Sequence, residues 1–512
     1  MNRLESSLVQ LEQAQLVHRL AEPDLAYLFK HALVQDTAYA SLLKRERKRL
    51  HRAVGEALER LYADQVDHYA ALLAQHYAEA GDDDRTSQYA ALAGDVAARL
   101  FAPVEARLHY AQALESLTRL PDTAHNRRRR IQTTTQYAIV AFGSEAPYPI
   151  LTRLMSVQAL AQELSTEESD RLLRARLHFW IGRLLVITNR PLDGIRFYEQ
   201  VLAEAQELKD RELIVVASGE IGLARVRLGH YGKVEALLRP AIAHLEQTEN
   251  WQQWTYQAAH LAMSFVAQGQ VAEGLAEGEQ ILRHANASNS VSAIAVSNLF
   301  LSFIYMLAGE TARSLAASGA CIELAHQTGE LLLVNMAHGF HAWAASRLGQ
   351  PAVAQESLEK QDETARLLGG QFVLPEQFAA MRAEVVLNEG KFGEAHTLAE
   401  QAVELAVPLG GIWGEGLAQR VWAQSLAQSG SPCSDEVEQH FEASLGAFET
   451  GVCLVEAART HVVWGAHCRD CGNRESARRH FEQAAAQFAT AHLDRELDET
   501  RGLIAALSTT AS

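Results

Sequence analysis

Apolar residues recur at helical spacing along most of this 512-residue chain, which reads as Ala-rich helix from about residue 32 to its end. The exception lies near the start. "LESSLVQLEQAQLVHRLAEPDLAYLFKH" reads as a helix, a short strand from about Leu16 to Leu20, a turn at Glu22-Pro23-Asp24 and a second strand to Lys30. "ALVQDTAYASLL" and "RKRLHRAVGEALERLY" then read as amphipathic helices. Helix, hairpin and helix predict a winged-helix-like module over residues 1–62, followed by irregular helical repeats over 63–165.

A ruler governs the rest. Turn-like residues follow helical patterns at Asn189, Gly229, Gly269, Gly309, Gly349, Gly390, Gly430 and Gly472, in steps of 40, 40, 40, 40, 41, 40 and 42. Seven residues before each turn the side chain is small: Gly182, Gly222, Ala262, Ser302, Ala342, Ala383, Ala423 and Gly465. Five residues after, Gly194, Val234, Gly274, Ser314, Ala354, Ala395 and Ala477 are small or modest, while Asp435 is not. Two antiparallel helices approach closely only where side chains are small, and glycine ends the first helix in a left-handed conformation. Each hairpin then leaves an apolar face that the next must cover. "SGSPCSDEVEQHFEASL" breaks the pattern and predicts a displaced or longer turn near Gly430.

This spacing resembles the tetratricopeptide repeat in a long form, with about six residues more than the usual ~34. The resemblance runs from roughly Glu168 to Leu503. The expected fold is all-α: a right-handed, tetratricopeptide-like solenoid of helical hairpins over 166–503, a small N-terminal winged-helix-like module and a disordered tail over 504–512.

Composition narrows the function. Hydrophobic residues make up 48%, enough for burial, and the formal net charge of -17 disfavours nucleic acid as a partner. No basic-then-apolar leader and no run long enough to span a bilayer is visible, so membrane is excluded as a partner and cytoplasm is the expected location. Five cysteines form no disulfide-like framework.

Phe29-Lys30-His31-Ala32-Leu33, Gln35-Asp36, Ala38-Tyr39, Leu42-Leu43, Arg47 and Leu50-His51 resemble a further family. They are similar to the segment joining the ATPase core to the repeats in bacterial AAA/STAND-type proteins, many fused to class III adenylate or guanylate cyclases. "LAQHYAEAGDDDRTSQYAALAGDVAARLFAPVEARLHYAQALESLTRLPDT" and "EAARTHVVWGAHCRDCGNRESARRHFEQAAAQF" extend the likeness. The resemblance implies a relay between nucleotide state and ligand occupancy, and an ATPase or cyclase module as partner. The engine itself is missing: Gly232-Lys233 and Gly390-Lys391 are followed by Val234 and Phe392, and neither completes a phosphate loop. The chain reads as the C-terminal arm of such a protein.

Catalysis and cofactors have no support in the sequence. Cys468 and Cys471 form one C-x-x-C with His467 and His480 nearby, but a metal centre needs a second ligand pair. A metal or redox site there stands as an alternative to structural cysteine. Lys44 to Arg49 and Arg127 to Arg130 read as solvated helix faces. Counting back thirteen, ten, six and three residues from each turn gives the positions facing a concave wall. The middle repeats place Tyr256, Met263, Phe303, Met306, Met336 and Trp343 there, with Val266, Val296 and Leu299 beside them. Flanking repeats place Arg176, Arg183, Glu384, Arg420, Arg459 and Arg469. An apolar centre with charged ends is the expected groove for a protein or peptide ligand. The function expected is a non-enzymatic binding scaffold in a signalling ATPase system, with a small-molecule inducer sensor as the alternative.

Overall fold

The computed structural model describes residues 3–20, 26–142, 144–370, 373–428 and 433–509. The chain forms two compact units, residues 1–173 and 174–512.

In the first unit, helix Arg3–Gln13 precedes two antiparallel strands, Val17–Leu20 and Ala26–Phe29, paired from Val17 with Phe29 to Leu20 with Ala26. These are the only strands among the described residues. The expected Glu22-Pro23-Asp24 turn lies outside them. Helices Ala32–Ser41 and Lys44–Leu61 follow, so the element order helix, hairpin, helix is the expected one. The first buries none of its residues and the second only Gly55. Leu33, Leu43 and Leu61 are about three-quarters exposed (77%, 75% and 74%).

Helices Val66–Ala80, Asp83–Arg99, Pro103–Arg119 and Ala124–Ala141 complete most of this unit. Arg127 to Arg130 correct the sequence reading, because they are not a solvated face. Arg128 bridges buried Asp170 at 2.6 Å, Arg129 bridges Asp84 at 2.6 Å, and Arg130 donates to the carbonyls of Leu117 and Leu120. Arg127 holds both Asp122 and Glu163. Four arginines in one helical turn thus reach four separate segments, which a periodicity argument cannot foresee.

The second unit is a tetratricopeptide-like array. Asn189, Gly229, Gly269, Gly309, Gly349, Gly390 and Gly472 all have positive φ, from 61° to 86°. Each ends the first helix of a hairpin; Gly430 lies outside the described residues. At Gly229 the amide of Gly229 donates to Val226 and that of His230 to Arg225, the paired bonds of a Schellman turn. The small positions meet as expected. A Cβ on Gly194 would lie 2.8 Å from the carbonyl oxygen of Gly182, and Ala262, Ser302, Ala342, Ala383, Ser314, Ala354 and Ala395 are fully buried.

A second ruler lies halfway between. Lys209, Glu249, Asn289, Gly329, Gly369, Gly410, Val452 and His492 also have positive φ and end the second helices. Five of these eight are not glycine, so composition hides this register. The longer turn expected near Gly430 lies outside the described residues; helix Asp435–Gly451 starts 43 residues after helix Phe392–Leu409 starts, and Asp435 is exposed. Helix Asp494–Thr509 continues into the stretch expected to be a tail.

Candidate functional site

The array's first helices turn their inner faces toward one another. Phe303 and Trp343, at equivalent positions of successive repeats, lie 6.3 Å apart between ring centres. Trp413 stands edge-on to both, at 5.3 and 5.7 Å, and Phe340 and Phe378 continue the stack.

The expected open trough is corrected at this point. Met263, Phe303, Met306, Met336 and Trp343 are all buried within one apolar core, Trp343 completely. Of the six expected groove residues only Tyr256 keeps partial access to solvent. The reason is a seam. Gln377 Nε2 donates to the Arg227 carbonyl at 2.7 Å, Tyr231 N to the Gly451 carbonyl at 2.9 Å, Arg459 to the Leu307 carbonyl at 3.0 Å and Arg495 to the Gly309 carbonyl at 2.8 Å. These partners are 150 to 220 residues apart. The winding therefore brings early turns onto late helices and seals the inner wall. Glycine permits the contact: a Cβ on Gly229 would meet Trp413 N and Cβ at 2.6 Å. The seam's acceptors are carbonyls at or near helix C-termini, satisfied here by three side chains and, at Gly451, by the Tyr231 amide of a distant repeat.

A ladder of buried charges lies beside the stack. Trp343 Nε1 donates to Glu384, which also accepts from Arg347 at 2.9 Å. Arg420 lies 3.9 Å from Glu384 and 2.8 Å from Glu456; Arg459 lies 2.6 Å from Glu456 and 3.5 Å from Glu496. Burial alone would raise the carboxyls of Glu384 and Glu456, but the flanking arginines outweigh it and hold both below the ordinary carboxylate range. Glu384, Arg420 and Arg459 are thus brought together as expected wall charges, yet inside the core. Arg176 and Arg469 remain exposed and take no part.

At the N-terminal end of the array a cleft opens between first helices and the second helix Glu235–Gln247. It measures about 330 Å³ and is lined by Phe179, Arg183, Glu220, His244, Gln253 and Gln257, among others. Arg183 lies 4.0 Å from Glu220, whose carboxylate also accepts from Tyr198 Oη at 3.1 Å. Gln257 is 2% exposed, and its Oε1 has no hydrogen-bond partner. Arg227 and Tyr256 belong to the same electrostatic neighbourhood. Burial pushes His260 down to about 3, aided by the Arg227 charge, so it is neutral at physiological pH. Of the cleft residues only Arg183 is among the wall positions expected from sequence; Glu220 and Gln257 carry no sequence signal, being polar residues in ordinary helical positions.

The cysteines bring a further correction. Cys471 pairs with Cys433 in a disulfide, while Cys468 is buried and free, its thiol pushed up to about 11 chiefly by burial. Cys433 precedes helix Asp435–Gly451 and Cys471 follows helix Leu454–Asp470, 38 residues apart, and the disulfide ties these two segments together. No local cysteine spacing signals this disulfide, because it joins residues 38 positions apart. The C-x-x-C is therefore not a unit. Among the described residues no group of three or more His, Cys, Asp or Glu could hold a metal. No helix among them is long and apolar enough to cross a membrane.

No protein-family model matches the chain, and no curated protein matches it. Solved structures do. NprR in complex with its cognate peptide NprX is 13% identical, with a TM-score of 0.53, over 70% of this chain and 97% of that one. The apo form of the quorum sensor NprR from B. thuringiensis is 14% identical, with a TM-score of 0.48, over 69% and 96%. A Rap protein complexed with Competence and Sporulation Factor is 10% identical, with a TM-score of 0.46, over 82% and 99%. The first of these likenesses establishes a shared helical-repeat fold.

Proposed function

We propose that the chain is a non-enzymatic peptide-binding arm, and that the peptide enters at the N-terminal end of the repeat array's inner wall. One observation carries the reading: the inner wall is sealed through its centre, while a cleft bearing Arg183, Glu220 and Gln257 opens at the N-terminal end of the array, near the half-buried Tyr256. At about 330 Å³ the cleft is at the lower end of ligand-pocket sizes, about 300–1,000 Å³. It takes one end of a peptide. Phe179 supplies apolar contact, and the charged and amide groups supply orientation. The structurally similar NprR is a peptide complex, which supports the same use of this fold.

The arm belongs, in this reading, to a signalling ATPase system. The likeness of residues 29–51 to the relay segment of bacterial AAA/STAND-type proteins supports this. So does the exposure of Leu33, Leu43 and Leu61 in a module that buries so little, because such apolar surface marks an interaction site.

Affinity selection with a random heptapeptide pool tests the binding function. Wild-type protein retains a subset of peptides, and Phe179→Ala and Tyr256→Ala each reduce retention at least tenfold, the loss of a contact anchor. Retention unchanged in both variants contradicts the location. Retention by neither wild type nor variants contradicts the function.

A further inference from the structure

The five cysteines divide by reach. Cys321, Cys453 and Cys468 are free and buried, whereas the disulfide between Cys433 and Cys471 lies at the surface, with Cys433 exposed and Cys471 half-buried. Helix Asp435–Gly451, which follows Cys433, is held by other contacts. Phe441 is fully buried and stacks on Trp464 at 5.6 Å between ring centres. Ser444 Oγ donates to the Gly416 carbonyl at 2.7 Å, and Trp464 Nε1 donates to Glu438 at 2.6 Å. A surface disulfide on helices already packed is one that a thiol can reach and open without unfolding the chain.

The two sulfurs are not equivalent. In thiol–disulfide exchange a thiolate attacks one sulfur and expels the other, and access decides which is attacked. Here that is Cys433. Cys471 caps the C-terminus of helix Leu454–Asp470, where the helix end disfavours a lasting thiolate. His467 lies one turn back on the same helix, its Nε2 3.8 Å from Cys471 Sγ. In the tautomer protonated at Nε2 it can donate to that sulfur as it leaves. The other acceptor near this nitrogen is Glu438 Oε1, also at 3.8 Å.

We propose that this disulfide is a thiol-exchange site: a small thiol forms a mixed disulfide on Cys433, and Cys471 leaves with the His467 Nε2–H as its hydrogen-bond donor. The small thiol loses its proton to solvent and its sulfur bonds Cys433 Sγ. The bond between Cys433 and Cys471 breaks with its electron pair on Cys471 Sγ, which solvent then protonates. The reverse attack, by Cys471 on the Cys433 adduct, expels the small thiol and restores the disulfide, so the cycle needs no oxidant. Cys468 does not divert it. That residue is 3% exposed, and burial, with the Glu438 carboxylate 4.0 Å away, pushes its thiol up to about 11. It stays protonated at neutral pH and is a poor nucleophile.

Reduced glutathione tests the proposal. The native full chain, purified without reductant, is treated briefly, alkylated with N-ethylmaleimide at successive times, digested and mapped by mass spectrometry. The first product is expected to carry glutathione on Cys433 and N-ethylmaleimide on Cys471, with Cys321, Cys453 and Cys468 unlabelled and circular dichroism unchanged. Removing glutathione before alkylation restores the disulfide. His467→Leu slows adduct formation by about threefold or more, the weight of one modest hydrogen bond, and Cys468→Ala leaves the rate unchanged. Glutathione first found on Cys471 overturns the assignment. So does a disulfide that resists glutathione in native protein and yields only in urea, since it is then purely structural. Cys433 and Cys471 both free in the untreated chain also overturn it. A rate unchanged in folded His467→Leu overturns the role of His467. The wild-type mapping decides the site of attack without any variant.

Discussion

Replacing Gly229 and Gly349 by alanine, one at a time, isolates the seam from the turn. Both glycines end a first helix with positive φ, 86° and 70°. An L-residue in that conformation costs about 1–2 kcal/mol at either site. Their surroundings differ. A Cβ at 349 meets nothing within 4 Å, whereas one at 229 meets Trp413 N and Cβ at 2.6 Å and Trp413 Cα at 3.1 Å. Backbone cannot swing aside as a side-chain tip can, so the Gly229 variant must part the seam. Overpacking of this kind adds about 1–3 kcal/mol. Gly229→Ala should therefore destabilise by about 2–5 kcal/mol and Gly349→Ala by about 1–2 kcal/mol. Urea unfolding gives the totals. Hydrogen exchange locates the difference, with helix Ile412–Gln428 exchanging faster in the Gly229 variant alone. Equal destabilisation, with no change of exchange in that helix, refutes the contact between distant repeats and with it the explanation of why Trp343 is buried.

Two further outcomes follow from the buried charges. Arg420→Ala leaves Glu456 without its 2.8 Å partner and should cost about 3–5 kcal/mol in urea unfolding at pH 7; a loss below about 1 kcal/mol means the ladder is solvated. Glu376 behaves oppositely to the ladder carboxylates. It is 3% exposed, Oε2 has no partner, and burial pushes its pKa up to about 7. A folded pKa above the unfolded value of about 4.3 means that its stabilising protonated form is fully present below pH ~4 and lost as pH rises through ~7. Glu376→Gln should thus be more stable than wild type by up to about 3 kcal/mol at pH 8.5 and nearly equal to it at pH 4.5, read from urea midpoints. A gain independent of pH refutes the buried carboxyl.

The fold was legible because its constraint is local. Glycine at a fixed period ends helices, and Gly182 with Gly194 or Ala342 with Ala354 marks where hairpins close. Both signals are written in residue size. The second set of turns was not legible, because Lys209, Glu249 and Val452 adopt left-handed backbone without the glycine that advertises it. The site was legible only in part, for a different reason. Which residues face inward follows from the repeat, and Phe303 and Trp343 are indeed neighbours. Whether the inner face is open depends on how far the array winds, set by contacts such as Gln377 with Arg227, 150 residues apart. No window of sequence holds both partners. Burial therefore turned the expected anchors Trp343 and Met306 into core.

The central claim is that a peptide meets the inner wall at its N-terminal end. A benzophenone-bearing peptide taken from the selected pool, photolysed on the full chain and mapped by mass spectrometry, tests it directly. The account predicts adducts within residues 176–183, 212–227 and 250–257. Adducts confined to the outer second helices, or to the sealed stretch from Leu299 to Trp343, contradict it.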